Sequence, residues 1–564
     1  MQNSIFSDMR ILLILTLLFT FQKAEAQELK EFKAMVVTAE SLATQAGVEI
    51  LKKGGNAVDA AVATGFALAV TYPVAGNIGG GGFMVIHLAD STDITIDYRE
   101  KAPLKAYRDM YLDKKGDFIP ELAQEGILAA GVPGAVAGML YALEKYGTMT
   151  VKEILEPAVR LAEDGFKLPF STAQSFNNYN QVFSKYPSTK KIFTKPGGAF
   201  REGELFVQKD LAATLRRIQE KGAAGFYSGE TVDLIVKQNK ELGGLMTAED
   251  FAQYKAVERK PVKGTYKDFE VISMGPPSSG GIAVIEMLNM IENFDLSKIK
   301  HNSSAYLHLL AEVMKRAYAD RAEHLGDPDF YKVPVSRLLS KKYAETLAFS
   351  VRDTATPSAL VLPGNFDDKE SEQTTHYSVL DEKGNAVSVT TTINSGYGCK
   401  VVAEGLGFFW NNEMDDFSAK PGVPNQFGLI GNLANAIEPG KRMLSSMTPT
   451  IILKNGKPYL IVGSPGGATI ITAVLQVILN VLDFNMNVKE ALSALRMHHQ
   501  WKPDEIQHEK GITTEDDWKD LEVRKHKRGR VRVLGLIEAI LVNPATGLAT
   551  GASDPRGSGL ASGY

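Results

Sequence analysis

Thr374 heads the stretch Thr374-Thr375-His376-Tyr377-Ser378-Val379, and the residues just before it, 367–373, are acidic and polar in the manner of an exposed loop. A threonine hydroxyl is a poor nucleophile at its free pKa. One way to activate it is to place it at a chain terminus, where its own α-amine, with a pKa near about 8, accepts the proton. Cleavage before Thr374 would create that arrangement. The plain alternative is that Thr374 and Thr375 merely start a strand, as β-branched residues often do, and local pattern alone favours it.

The signatures of commoner chemistries are missing. No G-x-x-x-x-G-K-[ST] loop, H-E-x-x-H helix, C-x-x-C pair or G-x-S-x-G elbow occurs in the chain. The four glycines at 79–82 lead into a β-like segment and have no Lys-Ser/Thr behind them, so they read as close backbone packing rather than a phosphate loop. His498 and His499 are adjacent and would point in different directions on a helix or a strand, which disfavours a metal pair. Cys399 has no local partner that would make it a nucleophile and reads as a packed thiol.

Several elements must position such a site. Apolar residues recur at helical spacing over 41–53, Gly54-Gly55-Asn56 stops that helix, and a second one over 57–70 is apolar enough to lie between layers. Residues 83–87 and 93–98 read as strands, and helical patterns dominate from there to about Leu347. After Asn365 the texture becomes β-rich. Residues 375–380 and 386–393 form one hairpin around 381–385, residues 448–453 and 459–462 a second around Asn455-Gly456, and 468–484 an apolar helix. Strand pairs flanked by apolar helices predict sheets with helices packed outside them.

With 564 residues, 44% hydrophobic and 23% charged, the chain can bury a large core. A formal net charge of −4 gives no electrostatic case for nucleic acid, and the basic cluster at 524–532 reads as a solvated surface. Arg10, an apolar run over 11–21 and Ala24-Glu25-Ala26 have the pattern of a signal peptide over 1–26, cleaved before Gln27. The run is short for a bilayer span, so an exported protein of the periplasm or extracellular space is expected. One cysteine permits no internal disulfide.

Further motifs recur along the chain: G-G-N-A-V-D-A-A-V-A at 54–63, N-I-G-G-G-G-F at 77–83, D-Y-R-E at 97–100 and G-P-P-S-S-G-G at 275–281. They continue with T-T-H-Y-S-V at 374–379, N-N-E-M-D-D-F at 411–417, M-L-S-S-M-T-P-T at 443–450, G-S-P-G-G at 463–467 and G-A-S-D-P-R at 551–556. In order and spacing the set resembles the gamma-glutamyltransferase family of N-terminal nucleophile hydrolases over nearly the whole mature chain. The resemblance implies an α/β fold, a four-layered αββα sandwich. It also implies a precursor that cuts itself between Gln373 and Thr374 into a large subunit, 27–373, and a small one, 374–564, held as a heterodimer.

The resemblance further implies that Thr374 attacks the γ-carbonyl of glutathione or another γ-glutamyl compound and passes the acyl group to water or to an amino acid or dipeptide acceptor, without a cofactor or metal. Arg99, with the hydroxyls of Ser445 and Ser446, would hold the α-carboxylate. Asp416 and Glu413, with the amide of Asn394, would hold the α-ammonium. Gly466 and Gly467 would supply the oxyanion amides, and Thr392 would hydrogen-bond the nucleophile. Phe427 falls on the gate of the family's lid, where relatives often have Tyr, and a ring without that hydroxyl implies looser closure and more hydrolysis relative to transfer. Two rivals remain. A glutaryl (cephalosporin) acylase of the same fold would leave Asp416 without an ammonium to face, and an exported solute-binding protein would never cleave itself.

Overall fold

The computed structural model describes residues 29–362, 375–420, 423, 426 and 433–564. The expected leader at 1–26, the junction residues Gln373 and Thr374, and Phe427 lie outside the described residues.

Two wholly antiparallel sheets form the centre. In chain order their strands begin with β1 (Met35–Thr38), β2 (Gly81–His87), β3 (Asp93–Asp97), β4 (Val257–Arg259), β5 (Val262–Tyr266) and β6 (Phe269–Ser273). After residue 374 come β7 (Thr375–Leu380), β8 (Ala386–Thr392), β9 (Thr450–Lys454), β10 (Lys457–Gly463), β11 (Glu538–Val542), β12 (Ala549–Ser553) and β13 (Leu560–Gly563). The seven-stranded sheet has the order β13-β1-β7-β8-β2-β3-β4, and the six-stranded sheet β12-β11-β10-β9-β6-β5. Strands from before and after residue 374 therefore interleave within one sheet. β1 is hydrogen-bonded between β13 and β7, and β8 is paired with β2.

The period-2 alternation of these strands sets the layers. Val36, Met84, Ile86, Val379, Val387 and Val389 face one way and pack under α1 (Ser41–Lys52) and α2 (Ala57–Thr71). Met35, Val37, Phe83 and Val85 face the other way, into the core shared with the six-stranded sheet. On that sheet's far side lie α3 (Gly280–Ile291), α4 (Ser304–His324) and α5 (Thr469–Leu482). The result is the expected αββα sandwich. α2 is buried along its whole length, as its apolar sequence requires, and starts at a capping box of Asn56 and Asp59.

Two sequence expectations need correction. Residues 257–273, read as part of a helical region, form β4, β5 and β6. These strands are only three to five residues long and turn over at Lys267, where φ is 52°, so no periodic pattern builds up against the helices around them. The second hairpin runs Thr450–Lys454 and Lys457–Gly463, and Asn455 and Gly456, with φ of 53° and 73°, make its two-residue turn. The glycines at 79–82 do serve close packing, since a Cβ on Gly80 would stand 2.0 Å from the Thr392 carbonyl oxygen. Cys399 is buried, and burial pushes its thiol up to about 12, which suits packing rather than attack.

A buried charge cluster ties the end of the segment before the junction to the body. Glu312 on α4 pairs with Lys315 at 2.6 Å and Arg316 at 2.8 Å, and accepts from Thr356 N at 3.0 Å and Thr356 Oγ1 at 2.7 Å. Burial alone would raise the Glu312 pKa. The charge of Lys315 and the hydrogen bonds from Lys315, Arg316 and Thr356 outweigh it and hold it at about 2, against an ordinary 4.5. A depressed folded-state pKa gives stability that is complete above about pH 4.5 and lost as the pH falls toward 2, on the order of 3 kcal/mol. Chemical unfolding measured from pH 6 to pH 3 should therefore show a shallower acid loss of stability in Glu312→Gln than in the wild-type chain. Equal slopes would remove Glu312 from that role.

Candidate active site

The residues singled out from the sequence gather at one end of the two sheets. Thr375 and Thr391 are paired at the open end of the β7–β8 hairpin, and Thr392, the last residue of β8, is paired with Gly81 at the start of β2. Asp97 ends β3 beside Phe83, so Arg99 leaves that strand at the same edge. Gly466 and Gly467 follow β10 on the facing sheet and immediately precede α5.

Arg99 is 1% exposed and lies within a cage of acceptors. Its Nη1 donates to Glu413 Oε1 at 2.7 Å and lies 3.5 Å from Glu100 Oε2. Its Nη2 donates to Asp416 Oδ2 and, at 3.1 Å, to the Leu444 carbonyl, while Nε donates to the Met443 carbonyl at 3.2 Å. The backbone is fixed as well. Arg99 N donates to Asp97 Oδ1 at 3.0 Å, and Asp97 is itself paired with Arg259 at 2.7 Å and Arg442 at 3.3 Å. Burial alone would weaken the guanidinium's hold on its proton, but the charges of Glu413, Asp416 and Glu100 raise it further.

Three carboxylates, Glu100, Glu413 and Asp416, thus surround one guanidinium. Burial, and mutual repulsion against the pull of Arg99, push the carboxyl groups of Glu100 and Glu413 above the usual carboxylate range. Among the described residues Glu413 Oε2, Glu100 Oε1 and Asn394 Oδ1 are buried acceptors with no hydrogen-bond partner. Asn394 is held in the left-handed region, φ 68°, by its N–H to Thr392 Oγ1 at 2.8 Å and its Nδ2 to the Asn412 carbonyl at 2.9 Å. Thr392 also hydrogen-bonds Glu413, so the strand end and the acidic turn at 413–416 form one unit.

Ser445 and Ser446 sit on the loop that wraps Arg99. That loop is zipped to Pro277, Ser278 and Ser279 through Ser445 N to the Pro277 carbonyl at 2.9 Å and Ser279 N to the Ser445 carbonyl at 2.7 Å. Arg321 on α4 was not expected from the sequence. It donates to Ser279 Oγ at 3.0 Å and to Ser446 Oγ, so it fixes the loop from behind. Nothing in its neighbourhood in the sequence signals this, because only the crossing of α4 past the loop brings it there.

Gly466 and Gly467 adopt φ of 135° and 67°, which side chains rarely tolerate. Their carbonyls accept from Thr469 and Ile470 as α5 begins, while their own N–H groups donate to no described residue. Two free amides ahead of a helix N-terminus suit a developing anion. Asn394 and Gly466 line the same cavity, about 230 Å³ in volume. His376, two residues along from Thr374 in the sequence, is sealed between the sheets. Its ring nitrogens contact Thr390 Oγ1 at 3.0 Å and Ser378 Oγ at 3.1 Å, and burial lowers its pKa to about 3. His498 and His499 do point apart, toward Thr472 and Gln500 in one case and Asp504 in the other.

This arrangement has close relatives. The gamma-glutamyltranspeptidase family profile matches residues 43–564. The chain is 49% identical over 535 residues to the glutathione hydrolase proenzyme of Escherichia coli (strain K12), a match covering 94% of this chain and 92% of that protein. It is 45% identical over 575 residues to the glutathione hydrolase proenzyme of Pseudomonas sp. (strain A14), covering 100% of both. Among solved structures, a cephalosporin acylase from Bacillus halodurans superposes with a TM-score of 0.86 at 28% identity, over 97% of this chain and 98% of that one. Fold and sequence agree, and the chain belongs to the gamma-glutamyltranspeptidase family.

Proposed function

We propose that this enzyme hydrolyses the γ-glutamyl amide bond of glutathione and related compounds, and transfers the γ-glutamyl group to amino acids or dipeptides, with Thr374 as nucleophile. The observation that carries the reading is the cage. A γ-glutamyl headgroup brings an α-carboxylate for Arg99 and the Ser445 and Ser446 hydroxyls, and an ammonium with three N–H donors for Asp416, Glu413 and the orphan oxygens of Glu413 and Asn394. The bound headgroup exchanges one set of ion pairs for another and leaves no charge unpartnered.

Maturation and turnover use one hydroxyl. The Thr374 Oγ attacks the Gln373 carbonyl, the acyl group shifts from N to O, and water cleaves the ester to free a new N-terminus. In turnover the α-amine takes the hydroxyl proton as Oγ attacks the γ-carbonyl, and the tetrahedral oxyanion rests on the Gly466 and Gly467 amides. The proton passes to the departing cysteinylglycine amine. Water or an acceptor amine then cleaves the γ-glutamyl ester. The sealed position of His376 supports the terminal amine as the base.

Because strands from both sides of residue 374 interleave in one sheet, a cut there would leave the two subunits as an intertwined heterodimer. Among the described residues no helix is long and apolar enough to cross a membrane, and the leader-like segment at 1–26 supports export to the periplasm or extracellular space. The lid role of Phe427 rests on the family resemblance.

A glutaryl acylase remains the second reading, favoured by the structural match to a cephalosporin acylase. The carboxylate-rich cage opposes it, since a glutaryl group adds a negative charge there and brings no cation.

Two experiments test the proposal. The purified enzyme should resolve into two fragments and Thr374→Ala into one inactive chain on a denaturing gel; processing of the alanine variant would exclude this hydroxyl. Arg99→Lys keeps the charge but loses the fork, and should raise KM for a γ-glutamyl anilide about tenfold or more. An unchanged KM would remove Arg99 from recognition.

A further inference from the structure

The basic cluster at 524–532 lies largely at the surface, and two of its arginines border a cavity. Arg524 is paired with Asp520 and Arg528 with Glu515. Arg530 and Arg532 are exposed, make no ion pair among the described residues, and line a cavity of about 330 Å³ that Gly466 and Gly467 also line. The two arginines flank Val531, which is paired with His508 beyond a register shift in the strand 528–531, and Arg532 N is anchored to the His508 carbonyl at 3.0 Å. Gln507 lines the same cavity. It is only 7% exposed, and its Oε1 is a buried acceptor without a partner. Among the described residues on the lining the one carboxylate is Glu505, against two arginines.

We propose that Arg530 and Arg532 select the leaving-group and acceptor dipeptide by its terminal carboxylate. The inference rests on the γ-glutamyl reading above. With the reacting carbonyl oxygen on the Gly466 and Gly467 amides, the departing amine is one bond from the carbon that carries it. A dipeptide extended from that nitrogen spans at most about 7 Å, which places its carboxylate within a cavity that begins at the same two glycines. The guanidinium forks match a carboxylate, and the Gln507 Oε1 accepts from the dipeptide's peptide N–H. The acceptor enters by the reverse of the path by which the leaving dipeptide departs, so donor and acceptor share the selection. The arginines bind and orient. No bond forms or breaks at them.

The test compares glutathione with glutathione amide, in which a carboxamide replaces the terminal carboxylate, in the matured wild-type enzyme and in the R530A/R532A double variant. The quantity read is the ratio of kcat/KM on the acid to kcat/KM on the amide, which reports acylation and cancels any general loss of active enzyme. A fall of fivefold or more in that ratio is the expected result. A smaller change, or a wild-type ratio at or below one, overturns the proposal. L-γ-Glutamyl-p-nitroanilide, which carries no leaving-group carboxylate, separates the two claims. If the wild-type enzyme turns over neither glutathione nor the anilide, the γ-glutamyl reading itself fails, whereas turnover of both with an unaltered ratio refutes only the assignment of Arg530 and Arg532.

Discussion

The buried guanidinium of Arg99 is the constraint around which this end of the molecule is arranged. Removing a cation from water costs several kcal/mol unless it is paired and hydrogen-bonded. Glu413, Asp416, Glu100 and the Met443 and Leu444 carbonyls meet that demand from separate parts of the chain. Each of these is fixed in turn, by the Asp97–Arg259–Arg442 pairs under Arg99, by the Thr392 contact at the acidic turn and by Arg321 behind the serine loop. The cage overshoots, with three carboxyl groups against one cation. Burial and mutual repulsion accordingly push Glu100 and Glu413 toward their protonated forms, and an ammonium-bearing ligand would offset that excess.

The sandwich makes this arrangement compatible with a broken chain. The β7–β8 hairpin lies in the middle of the seven-stranded sheet, paired to β1 on one side and β2 on the other. Its open end meets the end of β10 across the sheet interface, where His376 packs so closely on Gly463 that a Cβ there would lie 2.3 Å from the ring. The glycine-rich entry to β2 brings the Gly80 region against the Thr392 carbonyl for the same reason. Strand ends that carry the site are therefore held by main-chain pairing and close contact.

Much of this was legible in the sequence because the chemistry is local. α1, α2, the β7–β8 hairpin and the Asn455-Gly456 turn announce themselves by periodicity, caps and turn residues, and the cage residues lie in short motifs. What escaped was what only the fold assembles. The strands at 257–273 are too short to show a period, Arg321 reaches Ser446 from 125 residues away, and Arg530 and Arg532 look like surface charge until the start of α5 is placed beside them. Glu100 in the D-Y-R-E motif signals no role by itself, since adjacency in sequence does not reveal that its carboxylate lies 3.5 Å from the Arg99 guanidinium.

The claim most worth testing is that the cage recognises an ammonium and a carboxylate together. Initial rates on L-γ-glutamyl-p-nitroanilide and on glutaryl-p-nitroanilide isolate it, because the two differ only in the α-amino group. A buried carboxylate set left without its cation should lower kcat/KM for the glutaryl compound by about a hundredfold or more. Equal turnover of the two anilides would contradict the ammonium site and return the enzyme to the acylases.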